Sequence, residues 1–130
     1  MAKKILLIED DEFLRKVISR KLSEESYVLV KASRGEEGIR IMKEEKPDLV
    51  LLDLILPEMN GFDLLARIKQ DPVLAKIPVI VLSNLGGEED VKRALKMGAA
   101  DYLIKAHFTL GEVIKRVEAV LGKKKGEKRI

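Results

Sequence analysis

Residues 49–61 read Leu-Val-Leu-Leu-Asp-Leu-Ile-Leu-Pro-Glu-Met-Asn-Gly. Leu49, Val50, Leu51 and Leu52 are aliphatic without alternation, which is the pattern of a strand covered on both faces, as in a parallel sheet. Asp53 ends that run and must lie at the rim. In an open parallel sheet, ligands bind outside the carboxyl ends of the strands. Pro57 and Gly61 break the chain just beyond. Asp53 is therefore the first candidate for chemistry.

Working outward, residues 4–8 form a second unalternating aliphatic run, and it too ends in acids, Glu9, Asp10 and Asp11. Residues 12–24 place Phe13, Leu14, Val17, Ile18, Lys21 and Leu22 at helical spacing, the stripe of a covering helix. A short strand is predicted over 27–32 and a helix over 35–45 that buries Ile39, Ile41 and Met42 and stops at Pro47. Past Gly61 a helix over 62–69 turns Leu64, Leu65 and Ile68 inward. Residues 78–82 form a fourth strand ending at Ser83-Asn84, followed by Gly86-Gly87 and a helix over 88–97 closed by Gly98. A fifth strand over 100–104 ends at Lys105. Thr109-Leu110-Gly111-Glu112 is a capping-box pattern, so the last helix begins just after Thr109 and runs to about Leu121. Strand and helix alternate five times, which predicts an α/β fold: one parallel sheet wound with helices on both faces.

The 130 residues are 46% apolar, enough for one domain with a proper core. There is no cysteine and a single histidine, His107, so thiolate chemistry, disulfides and a cysteine-built zinc site are excluded. His107 reads as a loop histidine without a role. The opening MAKKILLI has the charge of a signal peptide but meets acids after four apolar residues, and no stretch reaches membrane-spanning length. The expected compartment is the cytoplasm, with no membrane partner. The net charge is only +3, and part of the excess lies in the terminal KKKGEKR, which is a weak argument for nucleic acid. Residues 123–130 have no apolar face and are expected to be a frayed basic tail on a domain of residues 1–122.

Collected at the strand ends are Glu9 and Asp10 after the first strand, Asp53 after the third, Ser83 after the fourth and Lys105 after the fifth. Each alone has an ordinary explanation: Asp10 or Asp11 as a helix cap, Ser83 as a turn residue, Lys105 as a solvated charge. Together they mean more. Three carboxylates crowded at one rim repel unless a cation lies among them, and an all-oxygen donor set suits Mg2+. A hydroxyl and an ammonium across from them supply what a phosphoryl group needs. The set reads as a phosphoryl site with Asp53 as nucleophile. The Gly86-Gly87 pair matches no phosphate-cradling motif and lends the loop mobility.

Glu9-Asp10, Asp53 with Leu56-Pro57 and Asn60-Gly61, Ser83, Tyr102 and Lys105 together resemble the pattern of the response-regulator receiver domain of two-component signalling, in its single-domain, chemotaxis-regulator-like form. The resemblance spans essentially the whole folded length. It implies a flavodoxin-like five-stranded sheet of order 2-1-3-4-5 with five helices, and Mg2+-dependent transfer of a phosphoryl group to Asp53 from a histidine kinase or phosphotransfer protein. The metal would be held by Asp10 and Asp53 directly, by Glu9 through water and by the main-chain carbonyl of Ile55. Lys105 and Ser83 would bind phosphoryl oxygens, and Tyr102 would turn inward as Ser83 is drawn to the phosphate. The output would be a partner-binding face on the last two helices and the strand between them. A downstream protein is the expected target, and nucleic acid is not. The protein would be a switch that assists its own phosphorylation and dephosphorylation rather than an enzyme.

The rival reading is an aspartyl-phosphate-forming phosphohydrolase of the haloacid-dehalogenase-like kind. Such enzymes need a second acid two residues after the nucleophile, and Ile55 stands there. Two departures from the receiver pattern are visible: Asn84 replaces the common small residue after the hydroxyl, and Ala106 replaces the proline that usually follows the lysine. A cis bond before alanine costs roughly 2.5–4 kcal/mol. Residues 106–108 are also one longer than usual. The expectation is a trans 105–106 peptide that still brings Lys105 to Asp53 and sets Phe108 against the core.

Overall fold

The computed structural model describes residues 2–122; the predicted frayed tail, 123–130, lies outside the described residues. Five strands, β1 (Lys4–Ile8), β2 (Val28–Ala32), β3 (Leu49–Asp53), β4 (Val79–Ser83) and β5 (Asp101–Ile104), pair in parallel in the order β2-β1-β3-β4-β5. The α-helices are α1 (Glu12–Glu24), α2 (Gly35–Glu45), α3 (Gly61–Gln70), α4 (Glu88–Lys96) and α5 (Leu110–Leu121). This is the doubly wound, flavodoxin-like arrangement with five helices.

The period-two geometry of the strands divides the core. Leu6, Ile8, Val50, Leu52, Val79 and Val81 face one side and pack with α2 and α3 through Met42, Leu64, Leu65 and Ile68. Ile5, Leu7, Leu49, Leu51, Ile80 and Leu82 face the other and pack with α1 and α5 through Ile18, Leu22, Val113 and Val117. Every residue of β3 and β4 is buried, as unalternating runs require. At roughly 1.5–3 kcal/mol for each such side chain, this two-faced burial drives the fold.

The breaks are built as the sequence specifies. A Cβ on Gly61 would lie 2.2 Å from Leu54 Cα, so only glycine lets α3 begin against the backbone that follows Asp53. Asn60 Oδ1 caps that helix by accepting from the Phe62 N–H at 2.7 Å. After α4, Gly98 at φ 110° closes a Schellman motif, its N–H donating to Leu95 O and that of Ala99 to Ala94 O. Thr109 Oγ1 accepts from the Glu112 N–H, starting α5 where the capping box placed it.

Phe13 departs from the helical stripe. It is 76% exposed, while Ile18 and Leu22 are fully buried. Leu14 in the same turn packs on the core, whereas Phe13 lies on the outer side of α1 with the exposed Lys16 and Arg20. Two short 3-10 turns, 74–76 and 105–107, also carried no periodic signal.

Candidate functional site

The register sets the rim. Ile8 pairs with Leu52, Asp53 with Leu82 and Ser83 with Ile104, so Glu9, Asp53, Ser83 and Lys105 fall within a residue of one row across four strands. Glu9, Asp10 and Asp53 each place a carboxylate oxygen within 4.8 Å of the others. Glu9 and Asp53 are buried, at 0% and 2% exposure, whereas Asp10 is exposed.

Lys105 Nζ bridges the two buried acids, 2.8 Å from Glu9 Oε1 and 3.0 Å from Asp53 Oδ2. The Glu9 contact is an ion pair without hydrogen-bond geometry, so Oε1 is left with unused acceptor capacity. Asp53 Oδ1 accepts from the Ile55 N–H at 3.0 Å, and Glu9 Oε2 from the Asp11 N–H at 3.0 Å. Burial pushes the Glu9 carboxyl above its ordinary range, against the lowering pull of Lys105 and the Asp11 N–H. Burial pulls Lys105 down, but Glu9 and Asp53 outweigh it and hold the ammonium above its ordinary value, charged at neutral pH. Three carboxylates within 4.8 Å of one another, with one ammonium bridging only two of them, fit a small hard cation; Glu9, Asp10 and Asp53 cluster as in the Mg2+ sites of receiver domains.

Asp11, not Asp10, caps α1, its Oδ1 accepting from the Leu14 N–H at 2.9 Å. Ser83 is fully buried, and its Oγ accepts from the Leu85 N–H at 3.1 Å. Tyr102 lies inward at 8% exposure with its hydroxyl donating to Leu85 O. The turn expected of its ring therefore has no outward starting point in this structure. Ile55 follows Asp53 on the loop and is half exposed. Among the described residues no peptide bond is cis, so 105–106 is trans, and Phe108 packs on the α1–α5 core. The 3-10 turn 105–107 makes the change of direction there. His107 is exposed. A groove of about 590 Å3 between α1 and β2, lined by Phe13, Lys16, Val17, Ser19, Leu29 and Lys31 among others, includes none of the predicted site residues.

Sequence reading missed Arg15, whose Nη1 donates to Glu9 O at 2.8 Å. A cation on a helix surface carries no mark of the carbonyl it will reach.

The response regulator receiver domain family matches residues 5–118, and the chain belongs to it. It is thus a receiver domain of two-component response regulators, a signalling switch rather than a classical enzyme. The cell cycle response regulator CtrA of Brucella ovis is 39% identical over 123 residues, covering 95% of this chain and 52% of that protein. A probable transcriptional regulator, ycf27, of Guillardia theta is 36% identical over 118 residues, covering 91% and 45%. The chain spans about half the length of the curated relatives it matches. Among solved structures, the phosphorylated cyanobacterial phytochrome response regulator RcpA is 32% identical with a TM-score of 0.79, covering 92% of this chain and 91% of that one. No helix of the described residues is long and apolar enough to cross a membrane.

Proposed function

We propose that residues 1–122 are a phosphoacceptor receiver that takes a phosphoryl group onto Asp53 from the phosphohistidine of a kinase or phosphotransfer protein in the cytoplasm. The observation that carries this reading is the Lys105 ammonium shared between Glu9 and Asp53 beside an exposed, uncapped Asp10. Asp10, Asp53 and the Ile55 carbonyl would hold Mg2+ directly, with Glu9 acting through water. Bound Mg2+ would neutralise charge on the phosphoryl oxygens.

The rest falls to the chain. The Ile55 N–H and Lys105 fix the Asp53 carboxylate from both oxygens, so it meets the donor preoriented. One of its oxygens attacks phosphorus as the P–N bond to the donor imidazole breaks, and the bonding pair returns to the ring nitrogen. Lys105 exchanges its bond to Asp53 for one to a phosphoryl oxygen, and the Ser83 hydroxyl donates to another. The hydroxyl can go on accepting from the Leu85 N–H as it donates, so a shift of Ser83 toward the phosphoryl group would draw on Leu85, whose carbonyl accepts from the Tyr102 hydroxyl. Ser83, Leu85 and Tyr102 therefore form the route from phosphoryl group to α4, β5 and α5, where a downstream protein would read the change. The transcriptional role in the name of ycf27 belongs to a protein about twice the matched length and is not carried over.

Incubation with acetyl phosphate and Mg2+ tests the reading. Intact-mass analysis should show one added phosphoryl group, absent without Mg2+ and absent in Asp53→Asn. The same gain in Asp53→Asn would move the acceptor elsewhere.

A further inference from the structure

The acid-bearing loop between β1 and α1 is three residues long, Glu9, Asp10 and Asp11, and almost every polar group in it is tied. The Glu9 N–H donates to Ala32 O at 3.0 Å, the Asp11 N–H to Glu9 Oε2, and the Asp11 side chain accepts from Leu14. Arg15 reaches this loop twice, once through its backbone and once through its side chain. Its main-chain N–H donates to Asp11 O at 2.9 Å, and its guanidinium Nη1 donates to Glu9 O at 2.8 Å. The peptide plane before Asp10 is thereby held by the Arg15 guanidinium through Glu9 O, and the plane after it by the Asp11 N–H on Glu9 Oε2. The Asp10 carboxylate itself takes no hydrogen bond or ion pair within the described residues beyond its place in the carboxylate cluster.

We infer that Arg15 is a positioning residue for the cation site, aiming Asp10 by holding the Glu9 carbonyl; the assignment rests on the metal reading proposed above. The main-chain bond to Asp11 O is an ordinary helical bond that any residue but proline could make, whereas the bond to Glu9 O needs a long side-chain donor. Arginine suits it because the guanidinium remains charged and donating at every relevant pH. Groups that orient metal ligands without touching the metal are worth about 10–100-fold in affinity.

Charge alone makes the opposite prediction. A fixed cation near three carboxylates competes with Mg2+, so removing it should tighten binding if Arg15 acts only through its field. If it positions Asp10, removing it should loosen binding. The sign decides between them.

The experiment is a calorimetric titration of the full chain with MgCl2, beside thermal melts that establish folding. Wild type should bind and Asp10→Ala should bind far more weakly. Arg15→Ala should lose about 10-fold or more in affinity, and Arg15→Lys, which keeps a donor, should recover part of it. Lys16→Ala removes an equal charge from the next residue, whose side chain is solvent-facing and, among the described residues, paired only to Glu12 at 3.6 Å; it should match wild type or bind slightly tighter. Arg15→Ala binding as tightly as wild type, or tighter, while Asp10→Ala still fails would overturn the positioning role and leave the metal reading standing. Should Arg15→Ala not fold, Arg15→Met, which keeps the length but removes charge and donors, binding as tightly as wild type or tighter would equally overturn it. Wild type that binds no Mg2+ would sink the metal reading and the inference together.

Discussion

Two lysine–carboxylate pairs of nearly equal length sit in the same sheet. At the amino end of β1, Lys4 Nζ lies 2.7 Å from Glu45 Oε1, with both side chains substantially exposed. At the carboxyl end of β5, Lys105 Nζ lies 2.8 Å from Glu9 and 3.0 Å from Asp53, with the acids buried. The distance is the same and the physics is not. Water screens the first pair to about 0–1 kcal/mol. The second has lost its water, so each charge depends on the others, and one lysine must serve two carboxylates. A fold selected for stability alone would have little reason to gather such a set; the phosphoryl and cation site proposed above would supply one.

Substitution should separate the two ends by size of effect. The largest loss is expected for Lys105→Ala, which leaves two buried carboxylates facing each other and should cost about 3–5 kcal/mol in metal-free buffer near neutral pH. Urea unfolding measures it. A loss under about 1 kcal/mol would place this pair in the same class as the surface one.

Glu9→Gln comes next and has the opposite sign. Burial raises the Glu9 carboxyl in the folded state above its ordinary 4.5, so the folded form binds the proton more tightly than the unfolded one. The penalty for ionised Glu9 is then absent below pH 4.5, grows as the pH rises through the elevated folded value, and is complete above it. The glutamine variant should be more stable than wild type near neutrality by roughly 1 kcal/mol, in the absence of Mg2+, with the difference closing as the pH falls toward 4.5. A variant less stable than wild type at neutral pH would mean that the Lys105 attraction outweighs burial. Lys4→Ala should change stability least, by about 1 kcal/mol or less, and any effect should fade with salt.

The same contrast explains what could be read from the sequence. Strands buried on both faces announce themselves by unalternating runs, and in a parallel sheet their last residues must gather at one rim, so Glu9, Asp53, Ser83 and Lys105 were legible before any coordinates. Some punctuation was legible for local reasons: Gly98 takes a positive φ and Thr109 caps the N–H three residues on, whereas Gly61 makes room for the backbone of Leu54. Other features depend on partners distant in sequence or on the edge of a layer. Phe13 neighbours the apolar stripe in sequence but lies on the side of α1 that carries Lys16 and Arg20. Asp10 and Asp11 are alike in sequence, and only the helix's position made Asp11 the cap. Arg15 could not be told from the surface cations beside it, since its target is a carbonyl six residues back across a turn. The inward ring of Tyr102 depends on where the Leu85 carbonyl comes to rest.

The central claim is that Asp53, alone among the clustered acids, becomes the acyl phosphate. Borohydride reduction after treatment with acetyl phosphate and Mg2+ tests it directly, because an acyl phosphate is reduced to an alcohol while a free carboxylate is not. Peptide mass mapping should then find homoserine at position 53 and unaltered residues at 9, 10 and 11. A reduced residue at any of those three positions, with Asp53 intact, would contradict the account.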